Sequence, residues 1–434
     1  MNNEQLTMKT EWVHKKLGDL GYSYSGLLGK TIDDFGEGKP FIPYMNIFSN
    51  GEIDPNKLEY VRIADNEHQN KVEQGDWFFT TSSETPEEVG MTSVLVDNIG
   101  EAYLNSFCFG FRLYNKQEFD PKFASYLFRS EELRKKISLF AQGSTRYNLP
   151  KQQMFEKLFI SYPESLSAQR RIAAILASAD KVIAATQKLI AKYKQMKQGM
   201  MEDLLKPKES WKKYEYKDVI IENRLGGNYE NSTANIGYPV IKMGNIMRGY
   251  ISLEKMQYLS FEKKYIADDV LKKGDLLFNT RNTLDLVGKV SIWNNELPFA
   301  LYNSNLLRMK FDENIIGSNE FMNYYFNYHK TLMELRGFAI GTTSVAAIYG
   351  RDLDRLSIIV PSIKEQRRIA AILSGIDAKI AAEEKVLEKY EKVKKGLMER
   401  LLDGIKTKIK TYGKYGGYYK NDIYDCHITT HTTN

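Results

Sequence analysis

The octapeptide Gln169-Arg170-Arg171-Ile172-Ala173-Ala174-Ile175-Leu176 returns unchanged, 197 residues later, as Gln366-Arg367-Arg368-Ile369-Ala370-Ala371-Ile372-Leu373. The same offset pairs Asp180 with Asp377, Ile183 with Ile380, Tyr193 with Tyr390, Gly199 with Gly396 and Leu205 with Leu402. A chain built this way folds as two related halves, each closing on one long helical pattern. Upstream the repeat is fainter. Offsets of 198 or 199 lay Asn46-Ile47 on Asn245-Ile246, Gly75-Asp76 on Gly274-Asp275, Asn105-Ser106 on Asn303-Ser304, Gly143 on Gly341 and Pro163 on Pro361. Between these points the halves differ almost everywhere, as expected of a shared scaffold whose divergent loops recognise different things.

Alternate steps of four and three from Ile172 reach Leu176, Ala179, Ile183, Thr186, Ile190, Tyr193, Lys197, Met200 and Leu204. The second copy gives Ile369, Leu373, Ile376, Ile380, Glu383, Leu387, Tyr390, Lys394, Leu397 and Leu401. Such a repeat is a coiled-coil seam. Its polar exceptions fall at matched places, Thr186 with Glu383 and Lys197 with Lys394. They either set register and orientation or lie at solvated points. A second apolar row, Ile175, Val182, Leu189 and Met196, implies a further neighbour. Ser167 is the expected N-cap of the first helix, and Pro207 and Gly404 mark the two helix ends. Roughly 37 residues at ~1.5 Å each make a rod of about 55 Å. Two rods in one chain pair most simply antiparallel, with the globular domains at opposite ends.

The length, 434 residues, suits two to four domains, and 42% hydrophobic content can bury real cores. No transmembrane segment and no secretory signal is expected, and Cys108 and Cys426 cannot form a disulfide framework, which fits a reducing cytoplasm. Charge is distributed unevenly. Residues 1–165 carry −6, 166–208 carry +6, 209–362 carry +1, 363–403 carry +2 and the remainder +3. The globular parts are not basic, so nucleic-acid binding would need a locally basic face or a partner.

Both globular parts, residues 1–165 and 208–362, read as mixed α and β. Strand-rich runs are Trp77 to Thr80, Phe107 to Leu113, Leu276 to Phe278 and Leu306 to Phe311, with one helix per domain at Pro121 to Phe140 and Asn319 to Leu335. Each helix precedes a small-residue loop, Gly143-Ser144-Thr145-Arg146 or Gly341-Thr342-Thr343-Ser344. These loops are phosphate contacts or structural turns.

Catalytic motifs do not assemble. An Asp/Asn-Pro-Pro-Tyr/Phe loop is excluded because the eleven prolines are never adjacent. Phe35-Gly36-Glu37-Gly38 has the wrong spacing for a methyl-donor turn, and Gly26-Leu27-Leu28-Gly29-Lys30-Thr31 lacks the first glycine of a phosphate loop, Tyr24 standing there. Cys426, His427 and His431 offer three metal ligands without a fourth, in a Tyr-, Lys- and Thr-rich tail over 404–434 that reads as disordered. The chain reads as a binder with no cofactor and no metal.

The order of variable domain, Pro163 followed by Gln169-Arg170-Arg171-Ile172, variable domain, then Pro361 followed by Gln366-Arg367-Arg368-Ile369 closely resembles the specificity subunit of type I restriction–modification systems. Gly75-Asp76, Gly274-Asp275, Gly143 and Gly341 add to the match, which covers residues 1 to about 403. The resemblance implies an α+β chain with an internal pseudo-twofold repeat. Target-recognition domains at 1–165 and 208–362 would be separated by two long antiparallel coiled-coil helices at 166–207 and 363–403. It further implies that each domain reads half of a split site on double-stranded DNA. Two adenine methyltransferase subunits and motor-nuclease restriction subunits would join the chain, which would not itself be catalytic.

Amide- and hydroxyl-rich segments, Thr80-Thr81-Ser82-Ser83 and Asn279-Thr280-Arg281-Asn282-Thr283, suit base-edge hydrogen bonding. The candidate DNA contacts are Ser82, Ser83, Ser144, Thr145, Arg146, Lys242, Arg281, Asn282, Thr342 and Thr343. Candidate docking residues on the helices are Arg170, Arg171, Ile175, Val182, Arg367, Arg368 and Ile372. Two rivals stand beside this reading: a coiled-coil scaffold for two protein-binding domains, and a system whose partner combines cleavage with methylation.

Overall fold

A computed structural model describes residues 11–342 and 345–402. The described residues divide into two compact units, one of residues 11–181 with 392–402 and the other within 182–391. Each unit takes one globular domain, the adjoining part of one long helix and a section of the other.

In the first unit an antiparallel sheet runs in the order Gly21–Ser25, Cys108–Leu113, Trp77–Thr80, Thr92–Val94. Alternation along Trp77–Thr80 sends Trp77 and Phe79 into one core with Phe109, Phe111 and Phe128, and Phe78 into another with Ile42 and Leu104. That second core lies against Phe35–Ile42, which pairs antiparallel with Glu59–Val61 and parallel with Tyr103–Leu104. The second unit repeats this plan. Ile220–Leu225, Leu306–Phe311, Leu276–Asn279 and Val290–Ile292 form the four-stranded sheet, and Gln257–Leu259, Tyr238–Ile241 and Leu301–Tyr302 the three-stranded one. Leu276 and Phe278 again enter one core and Leu277 the other.

The repeated fragments upstream of the helices are scaffold devices. Gly75 and Gly274 hold φ of 92° and 93°, and the following Asp76 and Asp275 carboxylates accept the Glu73 and Lys272 amides at 2.7 and 2.9 Å, closing the same turn into the central strand. Buried Asn46 donates to the Asp54 and Lys57 carbonyls, and Asn245 to those of Ser252 and Glu254.

The helix expected over Pro121 to Phe140 is two helices, Pro121–Leu127 and Glu131–Ser138. Asp120 caps the first by accepting from Phe123 N, and Ser130 caps the second by accepting from Leu133 N. Arg129, in the break, donates to the carbonyls of Ile47, Asn50 and Thr92. Asn319 to Leu335 divides likewise into Asn319–Phe326 and His329–Phe338.

The long helices span Leu166–Leu205 and Ile363–Leu402, 40 residues each. The first begins before Ser167, since Gln169 N already bonds Ser165 O at 3.1 Å, so Ser167 sits in the first turn instead of capping it. Pro207 follows the end at Leu205, and Gly404 lies outside the described residues. The repeated glutamine joins domain to helix. Gln169, fully buried, donates to the Glu118 and Pro163 carbonyls and accepts from Asp120 N. Gln366 donates to those of Ile315 and Pro361 and accepts from Gly317 N.

Within the second unit, Ile190 packs with Ile376 and Ile380, and Lys194 pairs with Glu384 while Lys197 pairs with Asp377. Numbers rise along one helix as they fall along the other. The matched lysines at the seam are therefore not solvated breaks. Asp377 accepts the Tyr324 hydroxyl at 2.7 Å and meets Lys197 Nζ at 2.6 Å. In the first unit Asp180 accepts the Tyr126 hydroxyl at 2.7 Å and meets Lys394 Nζ at 2.5 Å. Burial and then Asp180 hold the Tyr126 phenol above its ordinary pKa, so it donates.

Replacing Gln169 with Ala strands two buried carbonyls and one amide, as does Gln366→Ala. Each substitution is expected to cost about 2–4 kcal/mol in urea unfolding. A loss below about 1 kcal/mol would show that the joint does not depend on the amide.

Candidate nucleic-acid interface

The two loops singled out in each half meet as a small β-finger. In the first unit Ser82–Ser83 pairs with Tyr147–Asn148, and Gln142 bridges to Asn148. In the second, Arg281–Asn282 pairs with Ala346–Ala347, which pairs in turn with Ile340–Gly341. Gly143 and Gly341 turn the finger with φ of 136° and 138°. A Cβ at either position would lie 2.1 Å from the Arg146 carbonyl oxygen or 2.2 Å from that of Val345. Only glycine fits both the angle and the approach.

Side chains divide into those that build the finger and those it presents. Ser82 and Ser83 are buried. Ser82 Oγ accepts from Arg146 Nε at 3.2 Å, its carbonyl accepts the Tyr44 hydroxyl, and Ser83 Oγ donates to Glu88. Thr81 and Thr280 donate to the carbonyls of Phe107 and Asn305. Half-buried Asn282 accepts from Thr283 N, and half-buried Lys242 donates to Gln257 at 2.6 Å. Ser144, Thr145, Arg146, Arg281 and Thr342 are exposed. Thr343 lies outside the described residues.

Half-buried cations brace the neighbouring loops. Arg134 donates to the Glu87, Val89 and Gly90 carbonyls, and Arg129 to that of Thr92. Burial, and less so Arg134, pulls Arg129 down to about 10, and burial does the same to Arg134. In the second unit Arg248 donates to Asp285 O. Burial and then Arg336 lower its pKa, and burial and then Arg248 lower that of Lys289. No sequence signal marks these arginines, because their partners are backbone carbonyls.

A family model for the type I restriction modification DNA specificity domain matches the chain twice, over residues 9–195 and 208–392. The chain belongs to this family. It is 30% identical over 194 residues to a putative type I restriction enzyme MjaX specificity subunit of Methanocaldococcus jannaschii, covering 44% of this chain and 45% of that protein. The MjaVIII specificity subunit of the same organism is 28% identical over 307 residues, 66% of this chain and 70% of that one. The chain thus spans less than half the length of the MjaX relative. Among solved structures, the S subunit of a type I restriction–modification system from M. genitalium superposes with a TM-score of 0.55 at 14% identity, over 92% of this chain and 97% of that one. A chain from a study of complex assembly and conformational transition in a type I R-M system gives 0.57 at 15%, over 91% and 98%. At such identities the likeness is one of fold.

On the helices of this specificity-family chain, Ile175 and Val182 remain exposed at 45% and 41%, and Ile372 is half-buried. Arg170 Nε reaches Asp120 at 3.4 Å, Arg367 Nε donates to Gly317 O, Arg368 pairs with Glu365, and Arg171 is exposed. Among the described residues no helix is long and apolar enough to cross a membrane, and no cluster of His, Cys, Asp and Glu could hold a metal. Cys426, His427 and His431 lie outside those residues.

Gly143→Ala is expected to unseat the first finger at about 2 kcal/mol. Hydrogen exchange reads this directly, because the Gln142 and Asn148 amides bond each other's carbonyls. Full protection of both amides in the variant would contradict the account.

Proposed function

We propose that the chain is the sequence-specific DNA-recognition subunit of a type I restriction–modification complex. Each domain reads one half of a bipartite, asymmetric site on double-stranded DNA. The observation that carries this is the finger: one fold builds it in both units, with glycines at equivalent turns, yet the side chains it presents differ, Ser144, Thr145 and Arg146 against Arg281 and Thr342. A common platform with unlike tips suits two unlike half-sites.

The long helices act as an antiparallel coiled-coil spacer in an internal pseudo-twofold repeat. The exposed apolar positions Ile175 and Val182, with Ile372 and the paired arginines Arg170, Arg171, Arg367 and Arg368, form the docking face for two methyltransferase subunits, which restriction subunits then join. Those partners supply the chemistry and much of the phosphate contact, which accommodates the net −6 over residues 1–165. The chain needs no cofactor of its own, and the complex works in the cytoplasm.

Grafting residues 208–362 from a relative should change one half-site in binding-site sequencing and leave the other intact. Simultaneous change of both would defeat the independent-domain reading, and absence of any DNA preference would return the chain to a protein scaffold. A heptad inserted beyond Tyr193 and matched beyond Tyr390 should preserve both half-sites and widen the gap, because seven residues keep the apolar seam facing its partner. Retention of the original spacing would make the helices tethers instead of a ruler.

A further inference from the structure

The two fingers carry their arginine on opposite strands. Their equivalence is fixed position by position. Ser82 faces Asn148, which bridges to Gln142, and Arg281 faces Ala347, which pairs with Ile340. Gly143 abuts the Arg146 carbonyl and Gly341 that of Val345. Ser82 therefore corresponds to Arg281, and Arg146 to Val345. Cross-strand partners share a face, as do residues two apart on one strand. Ser82, Asn148 and Arg146 thus share one face of the first finger, and Arg281, Ala347 and Val345 the same face of the second. Arg146 Nε reaching Ser82 Oγ at 3.2 Å runs across that face.

We infer that this face of each finger reads bases, and that Arg146 and Arg281 are specificity-determining residues that each select a guanine, displaced by one or two base pairs between the frames of the two half-sites. The inference rests on the DNA-recognition reading above. Each face holds one arginine among uncharged side chains, Ser82, Asn148 and Gln142 in one finger and Ala347, Val345 and Ile340 in the other, with Ser82 and Ala347 buried. A phosphate-tracking strip would string several cations along the backbone. A lone planar fork on a narrow ribbon instead suits the bidentate contact to guanine O6 and N7 in the major groove. Diagonal neighbours on an antiparallel pair stand roughly 7–8 Å apart, less at Cβ. At ~3.4 Å per base pair, moving the arginine from one strand to the other shifts its reach by about two steps.

The test uses the full chain assembled with methyltransferase subunits and a random duplex DNA library. Arg281→Ser combined with Val345→Arg gives the second finger the first one's arrangement, and the selected guanine should move by one or two positions in one half-site only. Arg281→Lys keeps the charge and loses the fork, so discrimination at that one position should fall by about fivefold or more while the rest of the site holds. An unmoved guanine, or Arg281→Lys binding with discrimination intact, would overturn base reading by this face. So would Arg281→Ala weakening all sequences equally with a salt slope lowered by about one, the mark of a phosphate contact. Failure of the unaltered complex to select any split site would sink the DNA reading itself.

Discussion

One carboxylate in each unit ties the globular domain to both long helices. Asp180 accepts the Tyr126 hydroxyl from the domain and the Lys394 ammonium from the opposite helix, and Asp377 does the same with Tyr324 and Lys197. Both lysines also sit beside the phenol rings, Lys394 at 5.8 Å from the Tyr126 centroid and Lys197 at 5.4 Å from that of Tyr324. A half-exposed ion pair alone contributes about 1 kcal/mol at most. Its larger effect is on register. Apolar seams such as Ile190 with Ile376 and Ile380 tolerate a slip of one heptad, whereas a lysine moved by a heptad, roughly 10 Å along the axis, loses its carboxylate.

Several other residues that repeat between the halves are structural in the same way. Gln169 and Gln366 close the joint, Gly75-Asp76 and Gly274-Asp275 turn into the central strand, Asn46 and Asn245 brace a loop, and Gly143 and Gly341 turn the finger. The side chains exposed on the finger differ between the halves, Ser144, Thr145 and Arg146 against Arg281 and Thr342. The residues of the joint and turns are thus distinct from the side chains exposed on the finger, Ser144, Thr145, Arg146 and Arg281. Under the proposed function, that separation would let one fold serve two targets without disturbing the joint.

Much of this was legible in the sequence, for a physical reason. Duplication printed the scaffold twice, so the seam, the Asp180 and Asp377 positions and the paired glycines stood out. The matched lysines 197 and 394 were visible as exceptions to the seam, but their partners were not, because the contacts cross about 200 residues of chain. Local propensity overstated the helix at 121–140, where capping by Ser130 and the backbone bonds of Arg129 impose a break. Composition likewise singled out Ser82 and Ser83 as polar loop residues, although strand pairing buries both. Hydrogen bonds to backbone carbonyls leave no residue pattern, so Arg134, bonded to the carbonyls of Glu87, Val89 and Gly90, had no signal at all.

The central claim is that one chain holds two independent reading units through equivalent joints. Sequencing the duplexes that the assembled complex selects from a random library tests it most directly. The account predicts two short specified tracts of different sequence, separated by a gap of constant length and unspecified composition. A single continuous tract, or two tracts at freely varying separation, would contradict it.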